Sequence, residues 1–277
     1  MKPNPSFRNQ SSDFWALVKY ASESLGYSKR SGKTSGSNLK QYNLAEIEAL
    51  ADNFAISDNV EIVVEYLNYR ASLIENDIRP LLMNREKAQT IFDRLRSSYS
   101  PNCHLPMNKQ KGEKRHYSYF TCIVNMLTEK NLKGRDFEDN PRNLCLITTN
   151  TDNRLVKTFS RRVDGAYPDI LNPTAIWEIK EYYGTTTFGS RVADGVYETL
   201  LDGYEIIEAE QVGGQKIEHY LLVDDWFTWW VKGKSYLCRL VDMAHAGFVD
   251  EVIFGEEVLT RWPEIIKIWL QGDLPGQ

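Results

Sequence analysis

Apolar residues in the first hundred positions recur at the spacing of amphipathic helices. Between Asp13 and Leu25 they fall at every third or fourth position, after serines that can cap a helix and before Gly26, which can end one. Similar patterns predict helices over residues 43–54, 59–77 and 81–96, the last two separated by Pro80. We expect the first half of the chain to be almost wholly helical.

The second half of the chain changes to short apolar runs bounded by turn residues. Strands are predicted over residues 143–149, 163–171, 175–183, 219–224 and 251–254. Apolar residues at helical spacing predict helices near Phe120 and over residues 191–207, 234–246 and 256–271. We therefore expect an α/β (α+β) fold in which helices flank a mixed five-stranded sheet. An N-terminal helical region, residues 1–115, precedes this core of residues 116–277.

Composition narrows the class of protein. The chain has 277 residues, of which 42% are hydrophobic and 26% are charged, as is ordinary for a globular protein. It contains no apolar run near the length of a membrane span and no secretory leader. Its four cysteines are widely scattered, which favours reduced thiols over a disulfide framework. We expect a cytoplasmic protein that does not enter a membrane.

Charge is segregated along the sequence, although the net charge is only −5. No acid lies between Ser24 and Ala45, while the basic residues Lys29, Arg30, Lys33 and Lys40 fall there. A second basic group consists of Lys109, Lys111, Lys114 and Arg115, and a third of Arg154, Lys157, Arg161 and Arg162. Segregated charge can bind a polyanion on one face despite a negative total. The alternative for any single group is a solvated loop.

Three polar residues within predicted strands suggest a metal site. Asp169 follows Pro168, and after eight further residues come Glu178, Ile179 and Lys180. Glu178 and Lys180 project to one face because side chains alternate along a strand. A turn at Asn172 and Pro173 would form a hairpin and bring Asp169 beside them.

Such a group has a clear chemical use. Carboxylate oxygens suit Mg²⁺, which would lower the pKa of a bound water beside a phosphodiester, while Lys180 orients that water or stabilises developing charge. The alternative is a surface hairpin whose charges are solvated and whose ion pair contributes almost nothing.

The motif Pro168-Asp169, then Glu178-Ile179-Lys180, followed by a predicted helix at residues 191–207, resembles that of the PD-(D/E)xK nuclease superfamily. The resemblance implies a restriction-endonuclease-like core and Mg²⁺-dependent phosphodiester hydrolysis. Asp169 and Glu178 would be metal ligands, and Lys180 would lie near the nucleophile. Glu129 is a candidate for an additional acid. The helix after the lysine has no Q-x-x-x-Y motif, which favours similarity to type II restriction endonucleases.

We therefore expect a sequence-specific, Mg²⁺-dependent endonuclease that cuts double-stranded DNA. Residues 1–115 would recognise DNA, with the first two basic groups as candidate contacts, and residues 116–277 would form the nuclease core. Recognition of a palindrome would call for a homodimer. Two alternatives stay open: a structure-specific repair or phage-defence nuclease, and a non-cleaving DNA-binding protein with the same fold.

Overall fold

A computed structural model describes residues 1–30, 37–55, 59–108, 116–149, 151–183 and 189–272. The first part of the chain is helical, as its periodicity predicts. It contains α1 (Ser12–Leu25), the hairpin strands β1 (Ser28–Arg30) and β2 (Ser37–Leu39), α2 (Leu44–Ala51), α3 (Val60–Leu73) and α4 (Arg85–Ser98). Polar caps begin these helices: the Ser11 hydroxyl accepts from the Phe14 N–H, and Asn43 forms a capping box with Glu46.

The second part alternates strands and helices, which confirms the mixed α/β class. It contains α5 (Tyr119–Leu132), β3 (Leu146–Thr148), β4 (Leu155–Thr158), β5 (Gly165–Tyr167), β6 (Ala175–Glu181), α6 (Ser190–Gly213), β7 (Glu218–Asp224), α7 (Lys234–His245), β8 (Glu251–Phe254) and α8 (Val258–Gly272). Among the residues that the structure describes, no helix is long and apolar enough to cross a membrane.

The main sheet has four strands in the described ranges, instead of the five predicted. Its order is β5-β6-β7-β8, with β5 antiparallel to β6 and the other pairs parallel. The predicted strand at residues 143–149 forms β3, which pairs with β4 as a separate antiparallel sheet. A single bridge, Leu146 to Leu171, connects β3 with the turn after β5. The count differs because β4, absent from the prediction, takes the backbone hydrogen bonds of β3.

The two faces of β6 differ in chemistry. Trp177 and Ile179 face α5 and α8, where Trp177 stacks on Trp269 at 5.9 Å and meets Trp262 edge-on at 5.5 Å. Gly165 on β5 allows this packing, since a Cβ there would lie 2.0 Å from the Trp177 ring. The intervening residues of β6, including Glu178, project to the opposite face. The aromatic layer thereby fixes which face of the sheet carries the polar residues.

A buried ion pair joins the N-terminal helices to the core. Arg70 of α3 is 1% exposed, and its Nη1 lies 2.7 Å from Oδ2 of Asp242 on α7. The same guanidinium donates to the Ser22 hydroxyl at 3.0 Å, and the Tyr66 hydroxyl donates to Asp242 at 2.7 Å. A buried guanidinium is tolerated only with such partners, so this cluster specifies how α1 and α3 pack on α7.

Substituting Asp242→Ala leaves the Arg70 guanidinium buried without its carboxylate. We expect the free energy of unfolding to fall by about 3–5 kcal/mol in chemical denaturation. The control is Arg8→Ala, which removes an exposed pair with Asp250 at 3.7 Å and should cost less than about 1 kcal/mol. Equal losses for the two variants would contradict the structural role of Arg70 and Asp242.

Candidate active site

The register of the β5–β6 hairpin brings Asp164 to Glu178. Gly165 lies opposite Trp177, and Asp164 directly precedes Gly165. The Asp164 N–H donates to the Trp177 carbonyl at 3.2 Å, and the Ile179 N–H donates to Asp164 Oδ2 at 2.7 Å. The hydrogen bond from Ile179 places the Asp164 carboxylate beside Glu178, whose charge acts on it. Lys180 lies two residues further along the strand, on the same face as Glu178.

Asp169 does not reach this group. It lies in the turn beyond β5, exposed, with its Oδ1 accepting from the Leu171 N–H at 3.2 Å. Tyr167 pairs with Ala175, so the hairpin closes at the start of β6, about 10 Å along the strand from Glu178. The expectation that the turn brings Asp169 beside Glu178 and Lys180 is wrong, because Asp169 lies in the turn that closes the hairpin, whereas Asp164 is the acid that bonds to Ile179.

Glu178 is the centre of a charged network. Its side chain is fully buried, and Lys180 Nζ lies 2.8 Å from its Oε2. Arg161, from the loop before β5, lies 3.0 Å from each oxygen of the carboxylate. Helix α6 adds Asp202, 2.6 Å from Arg161 Nη1, and Glu198, 3.1 Å from Lys180 Nζ. Together with Asp164, four carboxylates surround two cations.

The network shifts the pKa values of its members in opposite directions. Burial would raise the pKa of Glu178, but Lys180 and Arg161 outweigh it and hold the pKa below its usual range. Burial and the Glu178 charge raise the pKa of Asp202 to about 7. The surrounding protein atoms and the Glu178 charge also raise the pKa of Asp164, although that residue is exposed at the surface. Burial would lower the pKa of Lys180, but Glu178 and Asp164 raise it. At neutral pH Glu178 is therefore an anion and Lys180 a cation.

Two buried carboxylate oxygens of the network accept no hydrogen bond, which suits the site to binding a divalent cation. Glu178 Oε1 and Asp202 Oδ1 are buried and accept no hydrogen bond, although Glu178 Oε1 lies near Arg161. In the described part of the chain, no three His, Cys, Asp or Glu side chains form a ready metal-binding group. Mg²⁺ usually takes only one or two protein carboxylates and completes its shell with water and substrate phosphate. Asp164 and Glu178 fit that requirement.

A polar groove opens onto the network. It has two adjoining compartments of about 450 Å³ and about 920 Å³, and Ser118, Thr121, Arg161 and Asp164 line both. Lys180 and Glu198 line the smaller compartment. Asp164 and the partly exposed Glu198 are accessible from the groove, whereas Glu178, Lys180 and Asp202 are buried. A substrate in the groove would therefore meet Asp164 first, with Lys180 at the base of the smaller compartment.

Gly195 of α6 leaves the space that the Lys180 side chain occupies. A Cβ at this position would lie 3.3 Å from Lys180 Cδ and 2.6 Å from the Tyr182 hydroxyl. Because Lys180 passes directly over α6 at this point, its ammonium reaches both Glu178 on its own strand and Glu198 on the helix. The absence of a side chain at Gly195 thus positions the lysine.

The basic residues predicted to contact DNA differ in exposure and in whether they already have a partner. Lys29 is exposed on β1. Lys40 is 5% exposed and pairs with Glu46 at 2.9 Å, so it has a structural partner and is not free to contact DNA. For Arg30 only the strand backbone is described. Lys33, Lys109, Lys111, Lys114 and Arg115 lie outside the described residues, although Asn108 and Ser118, on either side of the second basic group, line the groove.

Glu129 does not join the site. Its carboxylate accepts from the Asn102 N–H at 2.9 Å. Thr121, at the start of the same helix, lies at the groove, and eight residues of helix place Glu129 about 12 Å further along. Glu129 therefore stabilises a loop at the far side of α5.

Sequence reasoning did not assign four residues of the network to the site: Arg161, which it placed in a basic group, and Asp164, Glu198 and Asp202. Asp164 lies near the start of the strand predicted over residues 163–171, as Asp169 lies near its end. Glu198 and Asp202 are four residues apart on a predicted helix and so share one face. The spacing was visible, but only the packing of α6 shows that this face turns toward the strand.

Comparison with protein families gives a family without a known function. The family model of a domain of unknown function, DUF7687, matches residues 83–269, more than half of the chain. The chain belongs to this family. A second domain of unknown function, DUF7690, matches residues 1–77. No curated protein and no solved structure matches the chain.

The DUF7687 match contains every residue of the charged network. It also includes α4, whose Ile91 and Phe92 pack with α5 in the core beneath the sheet. The DUF7690 match contains α1, α2 and α3, and Arg70 of α3 joins α1 and α3 to α7. The division predicted after residue 115 stays a prediction.

Glu181 lies next to the network but faces α5. Its Oε2 accepts from the N–H and the hydroxyl of Thr121, both at 3.0 Å, at the start of that helix. Its Oε1 is buried without a hydrogen bond. Burial raises the pKa of Glu181 to about 7, and the hydrogen bonds from Thr121 only partly oppose it.

Glu181 should make the protein less stable as pH rises. The folded state keeps the proton up to about pH 7, whereas the unfolded chain loses it near its ordinary value of about 4.5. The free energy of unfolding should therefore fall between these values and level off above them, by on the order of 2 kcal/mol. In urea denaturation, Glu181→Gln should match wild type near pH 4.5 and exceed it at pH 8. If the free energy of unfolding of Glu181→Gln falls with pH as steeply as that of wild type, the pKa of Glu181 is not raised in the folded protein.

Proposed function

We propose that the chain is a Mg²⁺-dependent nuclease that hydrolyses phosphodiester bonds within double-stranded DNA. Its catalytic residues are Asp164, Glu178 and Lys180. The observation that carries the proposal is the placement of three side chains: Asp164 accepts from the Ile179 N–H, next to Glu178, and Lys180 lies 2.8 Å from the Glu178 carboxylate. The acid-acid-lysine set that resembles the nuclease superfamily is thereby retained, with Asp164 in the position that the sequence alone assigned to Asp169.

The residues have distinct roles in hydrolysis. Asp164 and Glu178 would hold Mg²⁺, which supplies positive charge to the phosphate and lowers the pKa of a water. Lys180, protonated at neutral pH, donates hydrogen bonds to the attacking water or to the negative charge that develops on phosphate oxygens. The water oxygen bonds to phosphorus, the bond to the leaving oxygen breaks, and a proton passes to that oxygen. Arg161 keeps Glu178 oriented through a hydrogen bond from its Nη2 to Glu178 Oε2 and a close ion pair with Oε1.

Among nucleases, a sequence-specific restriction-type enzyme is the leading proposal, with a homodimer that would match a palindromic target. A structure-specific repair or phage-defence nuclease is the alternative enzyme. A non-cleaving DNA-binding protein is the alternative of a different class. The intact set of Asp164, Glu178 and Lys180 supports cleavage, since a protein that only binds DNA has no need to bury this charged network.

Plasmid cleavage in Mg²⁺ tests the assignment. Asp164→Asn, Glu178→Gln and Lys180→Ala should each reduce the cleavage rate by at least about 100-fold, because each removes a metal ligand or the cation at the reacting phosphate. The matched control is Asp169→Asn, which removes the same charge in the turn beyond β5 and should keep a rate near that of wild type. Chelation of the metal should stop cleavage by every active variant.

The products and the control separate the alternatives. Discrete fragments support a restriction-type enzyme, and cleavage confined to branched or damaged DNA supports a repair-type enzyme. If the wild-type protein binds DNA without cutting it, the result supports the non-cleaving DNA-binding protein. Loss of activity in Asp169→Asn with retention in Asp164→Asn would restore the assignment made from sequence.

A further inference from the structure

Two arginines in the larger compartment of the groove have no carboxylate partner. Arg142 and Arg162 are exposed and line this compartment, and neither forms an ion pair or hydrogen bond with any described residue. Arg161, between them and Glu178, is by contrast fully engaged with carboxylates. Exposed arginines occur elsewhere on the surface, Arg94 among them. What distinguishes Arg142 and Arg162 is that both face a concave surface that ends at Asp164.

The two compartments of the groove differ in charge. The larger one is lined by Arg142, Arg161, Arg162 and His104 against the acids Asp139 and Asp164. The smaller one is lined by the carboxylates of Asp164, Asp194 and Glu198, and by Glu181, which keeps its proton up to about pH 7, together with Arg161, Lys180 and Arg191. The acidic compartment suits a divalent cation, and the basic compartment suits phosphate groups. Local segregation of this kind allows a chain with a net charge of −5 to bind a polyanion.

We propose that Arg142 and Arg162 bind successive backbone phosphates of the DNA strand that enters the site at Asp164. The inference rests on the proposed nuclease function and deepens it by assigning the surface that holds the substrate. A guanidinium presents a planar set of donors that matches phosphate oxygens, and no internal carboxylate competes for these two side chains. The exposed amides of Asn140 and Asn143, on either side of Arg142, lie in the same compartment and can hydrogen-bond to sugar or base edges.

Binding can be measured apart from cleavage by fluorescence anisotropy of a labelled DNA duplex with the full chain in EDTA. Removing one arginine that binds a phosphate should reduce the steepness of log affinity against log salt by about 1. Arg142→Ala and Arg162→Ala should each weaken binding by roughly five- to tenfold at about 0.1 M salt and show this reduced slope. Arg142→Lys should keep the wild-type slope because it keeps the charge. The matched control, Arg94→Ala on α4, should bind the duplex with an affinity within about twofold of wild type.

Plasmid cleavage by the same variants distinguishes the possible failures. If wild type cuts DNA while Arg142→Ala and Arg162→Ala bind and cut as it does, the two arginines do not hold the strand and the nuclease proposal stands. If Arg94→Ala weakens binding equally, net charge rather than the groove is responsible and the inference is overturned. If wild type neither binds nor cuts DNA, both proposals fail. Thermal unfolding of each variant, expected to be unchanged for these exposed side chains, verifies that the fold is intact.

Discussion

The candidate site depends on the ion pairs that allow the Glu178 carboxylate to be fully buried. Removing an ionised carboxylate from water costs several kcal/mol, which only close and well-oriented counter-charges can offset. Lys180 supplies one from the same strand, and Arg161 supplies the other from the loop before β5. Because Arg161 also contacts Asp202 on α6, a single carboxylate ties together the hairpin, the central strand and the longest helix of the core. The arrangement of these elements follows from that electrostatic requirement.

Two close contacts permit this arrangement. Gly165 lets β5 lie against the Trp177 ring on one face of the sheet, and Gly195 lets α6 approach the Lys180 side chain on the other. A larger residue at either position would separate the layers by more than an ion pair of about 3 Å tolerates. The aromatic face and the charged face of β6 are therefore coupled: tight packing of tryptophans below the strand supports the polar network above it.

Much of the fold could be predicted from the sequence, because the helices and strands carry clear periodicity. Glu178 and Lys180 could also be assigned to one face, since alternation along a strand is a local property. Pairing register is not local. It depends on where the turn closes, and the pattern at residues 163–171 does not show which acid of the predicted strand lies beside Glu178, so Asp169 was assigned and Asp164 was not. The contributions of Arg161, Glu198 and Asp202 are tertiary, so spacing could suggest which residues share a face but not what that face contacts.

The charge balance of the site connects its stability with the function proposed for it. Four carboxyl groups face two cations, so even with the raised pKa values of Asp164 and Asp202 no net positive charge remains at the point where, in our proposal, an anionic phosphate must approach. Repulsion would oppose that approach unless a cation enters with the substrate, and a divalent cation bound by Asp164 and Glu178 meets the need. Because β5 is an edge strand, Asp164 belongs both to the charged network and to the open groove. It is the residue at which the acidic and basic compartments meet, and hence the residue at which the metal and the DNA strand would come into contact.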